Sequence, residues 1–142
     1  MGPSLRYSIL VVDDDQELRD TMRTFLKSAG QTVSCAASGK EGFLAAVDSQ
    51  PDIVVSDVQM PDMDGMELCR RLRADRRTAG IPVVLMSGSS KSEREQLEGF
   101  AQGADDYVLK PFLPPILLAK IEAVLRRYAA VVEFGEVLKA DG

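Results

Sequence analysis

Five times along this chain a short apolar run ends on a polar residue and gives way to a stretch of helical periodicity. Residues Ser8 to Val12 (SILVV) stop at Asp13, Asp14 and Asp15, as a strand buried on both faces stops where it reaches water. Leu18, Met22, Phe25, Leu26 and Ala29 follow at three- and four-residue spacing, and Gly30 stands where a helix C-terminus favours a residue without Cβ. Thr32 to Ala36 reads as a second strand. Ser38 is an N-cap candidate for a helix over Lys40 to Asp48, which Gln50-Pro51 ends. Asp52 to Ser56 (DIVVS) is a third strand that meets Asp57, and helix resumes from about Gly65 to Ala74. Ile81 to Met86 is a fourth strand ending at Ser87, followed by a helix over Ser92 to Gln102. Asp106 to Leu109 is a fifth strand that meets Lys110-Pro111. The last helix runs from about Pro114 to Tyr128, with Leu117, Ile121, Val124, Leu125 and Tyr128 spaced for burial. Strands that are apolar throughout, alternating strictly with helices, require a parallel sheet covered on both faces and joined by right-handed crossovers. The expectation is a doubly wound α/β fold of five strands and five flanking helices.

Composition narrows the chemistry. A chain of 142 residues, 45% hydrophobic, suits one domain that needs neither disulfides nor a structural metal. Cys35 and Cys69 stand alone, without CxxC spacing, and read as reduced thiols in a cytoplasmic protein. The absence of histidine removes Ser-His and Cys-His nucleophile pairs, histidine-ligated zinc and a phosphohistidine carrier role. A net charge of −5 is a poor electrostatic footprint for direct nucleic-acid binding by this segment. No apolar stretch approaches the roughly 20 residues needed to cross a membrane.

In a doubly wound sheet, ligands sit outside the carboxyl ends of the strands. Those ends supply Asp13 and Asp14 after the first strand, Asp57 after the third, Ser87 after the fourth and Lys110 after the fifth. Taken singly, each has an ordinary reading: a strand-terminal aspartate is most often a cap or a solvated loop residue, a loop serine a turn residue, a lysine a surface charge. Asp15 and Asp64 stay with that reading as N-caps, as does Asp62, and Gly65 serves a tight turn. The joint placement of the five is the signal. Carboxylates about 4 Å apart repel by roughly 4 kcal/mol at an effective dielectric near 20, so something cationic must offset them. Lys110 is one candidate, and a hard divalent ion, Mg²⁺ or Mn²⁺, is the other, because an all-oxygen site argues against zinc or copper. An aspartate in such a setting can attack phosphorus and form an acyl phosphate. Asp57, after the central strand, is the best nucleophile; Asp13 and Asp14 suit metal coordination, and Ser87 can hydrogen-bond a phosphoryl oxygen.

ILVVDDD near the start, IVVSDVQMPDMDG in the middle, PVVLMSG and then GADDYVLKPF resemble, in order and near spacing, the receiver domain of two-component response regulators. The resemblance spans about Ser8 to Tyr128. It implies a flavodoxin-like sheet of strand order 2-1-3-4-5 and a bacterial phosphorelay protein. It makes Asp57 the phosphoacceptor, and Asp13, Asp14, Asp57 and the backbone carbonyl of Gln59 the Mg²⁺ ligands. Ser87 matches the switch hydroxyl, Lys110 the lysine that pairs with the phosphoryl group, and Tyr107 the switch aromatic, which swings inward when Ser87 moves. A cis peptide is implied at Lys110-Pro111. The partners implied are a histidine kinase or histidine phosphotransfer protein and a homodimer through the face of the fourth helix, fifth strand and fifth helix. The interval from Ser87 to Lys110 is one residue longer than the family's, which places an extra residue within Gly88 to Ser92.

On this reading residues 1–7 are a vector remnant and leader, 8–128 the receiver domain, and 129–142 a linker or the start of a truncated output domain. The chain is a switch that assists its own phosphorylation and dephosphorylation rather than a turnover enzyme. A receiver module of a hybrid sensor kinase is the alternative within the family. A Mg²⁺-dependent phosphatase with an aspartyl nucleophile would want a second acid two residues after Asp57, where this chain has Gln59. A flavin carrier of similar topology fits poorly with an acidic strand edge and no tryptophan. Neither a Walker loop nor a GxGxxG loop is present.

Overall fold

The computed structural model describes residues 6–88 and 92–141. Of the leader read over residues 1–7, residues 1–5 lie outside them, as do residues 89–91 of the Gly88–Ser92 stretch expected to hold an extra residue. The elements are β1 (Ser8–Val12), α1 (Gln16–Ser28), β2 (Thr32–Ala36), α2 (Gly39–Ser49), β3 (Ile53–Asp57), α3 (Gly65–Ala74), β4 (Val83–Ser87), α4 (Ser92–Ala101), β5 (Asp106–Leu109) and α5 (Pro114–Asp141). All four strand pairings are parallel and the order is β2-β1-β3-β4-β5, the flavodoxin-like arrangement.

The period of two along each strand sorts the core into two layers. Leu10, Val12, Val54, Val83 and Leu85 point to the face covered by Ala46 of α2 and by Leu68 and Leu72 of α3. Gly99 brings α4 against Leu85 on the same face; a Cβ there would stand 3.0 Å from Leu85 Cδ1. Ile9, Val11, Ile53, Val55 and Val84 point to the other face, against Met22 and Leu26 of α1 and Leu117, Ile121 and Val124 of α5. Every residue of β3 is buried, because it lies between β1 and β4 and under both layers. Each fully buried aliphatic side chain contributes about 2 kcal/mol. Such a frame tolerates a local electrostatic cost at its edge.

Three boundaries differ from the sequence reading, and each has a physical cause. Pro82 has no amide hydrogen to donate to the ladder, so β4 starts at Val83 and extends to Ser87. Asp52 precedes β3 as a cap: its carboxylate accepts from the Ser8 amide at 2.7 Å, and the strand ends one residue later, on Asp57 itself. α5 does not stop near Tyr128 but continues through residues 129–141; that stretch has no proline to break it. Asp15 caps α1, accepting from the amides of Glu17 and Leu18, and Asp64 caps α3, accepting from Glu67 at 2.8 Å. Both cysteines are free, with Cys69 buried.

Gly65 does more than close a turn. A Cβ at this position would stand 2.2 Å from the backbone oxygen of Asp57, so only glycine lets the start of α3 lie on the end of β3. Gly65→Ala is therefore expected to cost about 3 kcal/mol in urea denaturation. Gly80→Ala, at a position with open space around it, should stay within about 0.5 kcal/mol of the parent.

Candidate functional site

The sheet delivers polar residues to one edge by backbone hydrogen bonding alone. The Asp13 amide donates to Ala36 O at 3.1 Å, Val58 N to Met86 O at 2.8 Å and Lys110 N to Ser87 O at 2.8 Å, which extends the ladder just past the strand ends. The register sets Asp57 beside Met86, next to Ser87, and Ser87 beside Leu109, next to Lys110. The structure thus gathers Asp13, Asp14, Asp57, Ser87 and Lys110 at the carboxyl edge, as the sequence led one to expect. The Lys110-Pro111 peptide is cis.

Charge at this edge is crowded. Asp13 has no exposed surface and Asp57 is 7% exposed, while Asp14 reaches solvent. One carboxylate oxygen from each of the three lies within 4.8 Å of the other two. Lys110 Nζ donates to Asp13 Oδ2 at 3.1 Å and stands 3.2 Å from Asp57 Oδ1. Asp13 is held in orientation because its Oδ1 accepts the Asp15 amide at 2.9 Å, and its backbone oxygen accepts from Arg19 at 2.7 Å.

One cation shared by several carboxylates has opposite effects on the two sides. Burial alone would lower the Lys110 pKa, but its hydrogen bond to Asp13 and the field of Asp57 outweigh that and raise it. Asp57 is pushed up from its ordinary 3.8 to about 6, first by burial and then by repulsion from Asp13, with Lys110 only partly compensating. Burial and a neighbouring carboxylate both disfavour the charged form, and one lysine does not offset them. The donor set, three carboxylates at short range with no histidine or thiolate, fits a hard divalent cation. Gln59, exposed, follows on the loop after β3 and lines an open groove of about 580 Å³ together with Met60, Asp64, Glu95 and Glu98.

Ser87 is fully buried at the end of β4. Tyr107 donates its hydroxyl proton to Glu95 Oε1 on α4, and the Ser87 side chain lies close enough to the phenol to lower its pKa. Burial and the Glu95 carboxylate together push the Tyr107 phenol up to about 12. The ring, 6% exposed, already occupies a buried place beside Leu85 and Met66. Sequence reasoning picked out Tyr107 but not Glu95, which carries no motif; helical spacing gave only its position on α4.

An acidic carboxyl edge on a flavodoxin-like sheet points to a class of protein, and comparison with known proteins narrows it. Residues 9–122 match the response regulator receiver domain family, to which this chain belongs. It is 42% identical over 120 residues to the transcriptional regulatory protein GltR of Pseudomonas aeruginosa, covering 84% of this chain and 49% of that protein. It is 37% identical over 120 residues to the phosphate regulon transcriptional regulatory protein PhoB of the same species, covering 84% and 52%. The chain thus spans about half the length of the curated relatives it matches. Among solved structures it resembles chemotaxis protein CheY4 of Vibrio cholerae, with a TM-score of 0.79, 32% identity, and coverage of 84% of this chain and 99% of that one. NtrX of Brucella abortus overlaps 95% of this chain and 31% of its own, with a TM-score of 0.87 and 26% identity. Among the described residues no helix is long and apolar enough to cross a membrane.

The Asp57 shift implies a stability effect of definite sign. The carboxyl binds its proton more tightly folded than unfolded, so stability falls as pH rises from about 4 to about 6, and the deficit is complete above that window. In metal-free buffer, Asp57→Asn should therefore unfold at higher urea than the parent above pH 6, by up to about 3 kcal/mol. The gain should vanish below about pH 4. An Asn variant no more stable than the parent at pH 7.5 would contradict the crowded-site reading.

Proposed function

We propose that Asp57 accepts a phosphoryl group, as a phosphorelay receiver does, from a histidine kinase or a histidine phosphotransfer protein. The observation that carries this reading is the placement of Asp57 at the end of the central strand, with Lys110 at 3.2 Å and two further carboxylates within reach. In the reaction an Asp57 carboxylate oxygen attacks phosphorus, the bond from phosphorus to the donor nitrogen breaks, and an acyl phosphate forms. With a pKa of about 6, Asp57 is mostly ionised at neutral pH and available as nucleophile.

Asp13, Asp14, Asp57 and the backbone carbonyl of Gln59 are the groups that would hold Mg²⁺, with Mn²⁺ as a substitute. Bound there, the ion would neutralise charge on the transferring oxygens and relieve repulsion among the carboxylates. Lys110 stays protonated, since its pKa is raised, and after transfer it pairs with a phosphoryl oxygen. Ser87, one strand over, donates its hydroxyl to another. The phosphoryl group adds roughly two negative charges, enough to bias a loop with two arrangements. Ser87 and Tyr107 then carry the change to the surface of α4, β5 and α5.

That surface has partner-binding character. Leu97 and Phe100 of α4, Leu109 of β5, Leu113 just before α5 and Ile116 in its first turn are the large apolar residues left exposed there, a grouping that suits a homodimer. Membership of the family is shared with transcription factors, free-standing regulators and kinase modules. The continuation of α5 through residues 129–141 gives the segment after the receiver domain, read as a linker or the start of an output domain, a helical form.

Incubation with acetyl phosphate and Mg²⁺ followed by intact-mass measurement tests the proposal. One phosphoryl mass gain is expected, lost in Asp57→Asn and in EDTA. Lys110→Ala should retain the fold and slow the gain by at least tenfold. A gain that survives Asp57→Asn would overturn the assignment.

A further inference from the structure

We propose that Glu95 is a positioning residue that holds Tyr107 in its buried place independently of Ser87. The inference rests on the reading of Asp57 as phosphoacceptor for its functional meaning, though its structural content can be tested without a phosphoryl donor. A strand aromatic ordinarily only packs, and the ring of Tyr107 does pack, against the layer that contains Leu85 and Met66. What sets it apart is the hydroxyl. A buried phenol needs a partner, and here its proton goes to Glu95 on α4, with the Ser87 side chain on β4 close enough to lower the phenol pKa.

The two side chains are not equivalent. A serine hydroxyl has a single proton, so Ser87 cannot donate to Tyr107 and to a phosphoryl oxygen on Asp57 together. Once Ser87 turns to the phosphoryl group, the bond from the phenol to Glu95 is what remains. The partner the structure gives the Glu95 carboxylate is the Tyr107 phenol. Glu95 also lines the open groove between the loop after β3 and α4. Its side chain therefore has room to follow or release the ring without repacking the core. Through this contact, the position of Tyr107 is tied to α4 as well as to β4, and a change at Ser87 reaches α4 as a change in what Glu95 holds.

The chain has three tyrosines, Tyr7, Tyr107 and Tyr128, so 3-fluorotyrosine labelling gives three ¹⁹F resonances. The Tyr107 resonance is assigned by its loss in Tyr107→Phe. Glu95→Ala should move it by several line widths toward the position of free fluorotyrosine, while Tyr7 and Tyr128 stay fixed and report an intact fold. Glu95→Gln keeps an amide oxygen that accepts the phenol proton, and should restore most of the parent shift. Ser87→Ala should move the resonance less than Glu95→Ala does. The proposal is overturned if Glu95→Ala leaves the Tyr107 resonance in place, if Gln fails to rescue, or if Ser87→Ala displaces it as far as Glu95→Ala. None of these readings requires phosphorylation, so a failure of Asp57 to accept a phosphoryl group would appear separately, in the intact-mass measurement.

Discussion

Lys110 Nζ stands 3.1 Å from Asp13 and 3.2 Å from Asp57, one positive charge set between two buried negative ones. Each ion pair is favourable, but burial of the Asp57 carboxylate and its repulsion from Asp13 together outweigh the attraction of Lys110. Asp57 registers the imbalance by holding its proton to about pH 6. A fold can keep such an arrangement only if the rest of it is stable enough to bear the cost. The two apolar layers on a sheet whose central strand is buried along its whole length supply that stability. Three carboxylates this close, with one lysine among them, form a donor set that fits a hard divalent cation.

The same economy of positioning recurs away from the carboxylates. Gly65 lets the start of α3 touch the backbone of Asp57. At the opposite edge of the sheet, Arg73 of α3 donates to the carbonyls of Ile81 and Gly103 and to the Asp105 carboxylate, which also accepts from Tyr128 of α5 at 2.7 Å. That clasp ties the starts of β4 and β5 to the core portion of α5. The carboxyl edge is where side chains from different elements share partners, with Lys110 between Asp13 and Asp57 and Tyr107 of β5 held by Glu95 of α4.

Much of this was legible in the residues. Strand runs such as SILVV and VVLMS are apolar throughout, and that pattern specifies a doubly covered parallel sheet. Because parallel strands all present their carboxyl ends to one edge, Asp13, Asp57, Ser87 and Lys110 had to meet there. What the sequence could not carry was contact between side chains on different elements. Glu95 is one acid among several on a polar helix, and only the packing of α4 against β5 shows that it meets a phenol. Arg73 and Asp105 are likewise ordinary charges until the turn between α4 and β5 brings them together at 2.9 Å. α5 runs past its expected end for a different reason: the apolar spacing used to place that end gives out near Tyr128, but a helix ends where its backbone is broken, and residues 129–141 contain no proline.

The most direct test of the account is the titration of the Asp57 carboxyl itself, followed by its ¹³Cγ resonance in selectively labelled, metal-free protein. The account predicts a midpoint near 6, rising further when Lys110→Met removes the shared cation and falling when Asp13→Asn removes the neighbouring charge. A midpoint near the ordinary 3.8, indifferent to both substitutions, would contradict it, because the edge would then hold no uncompensated charge.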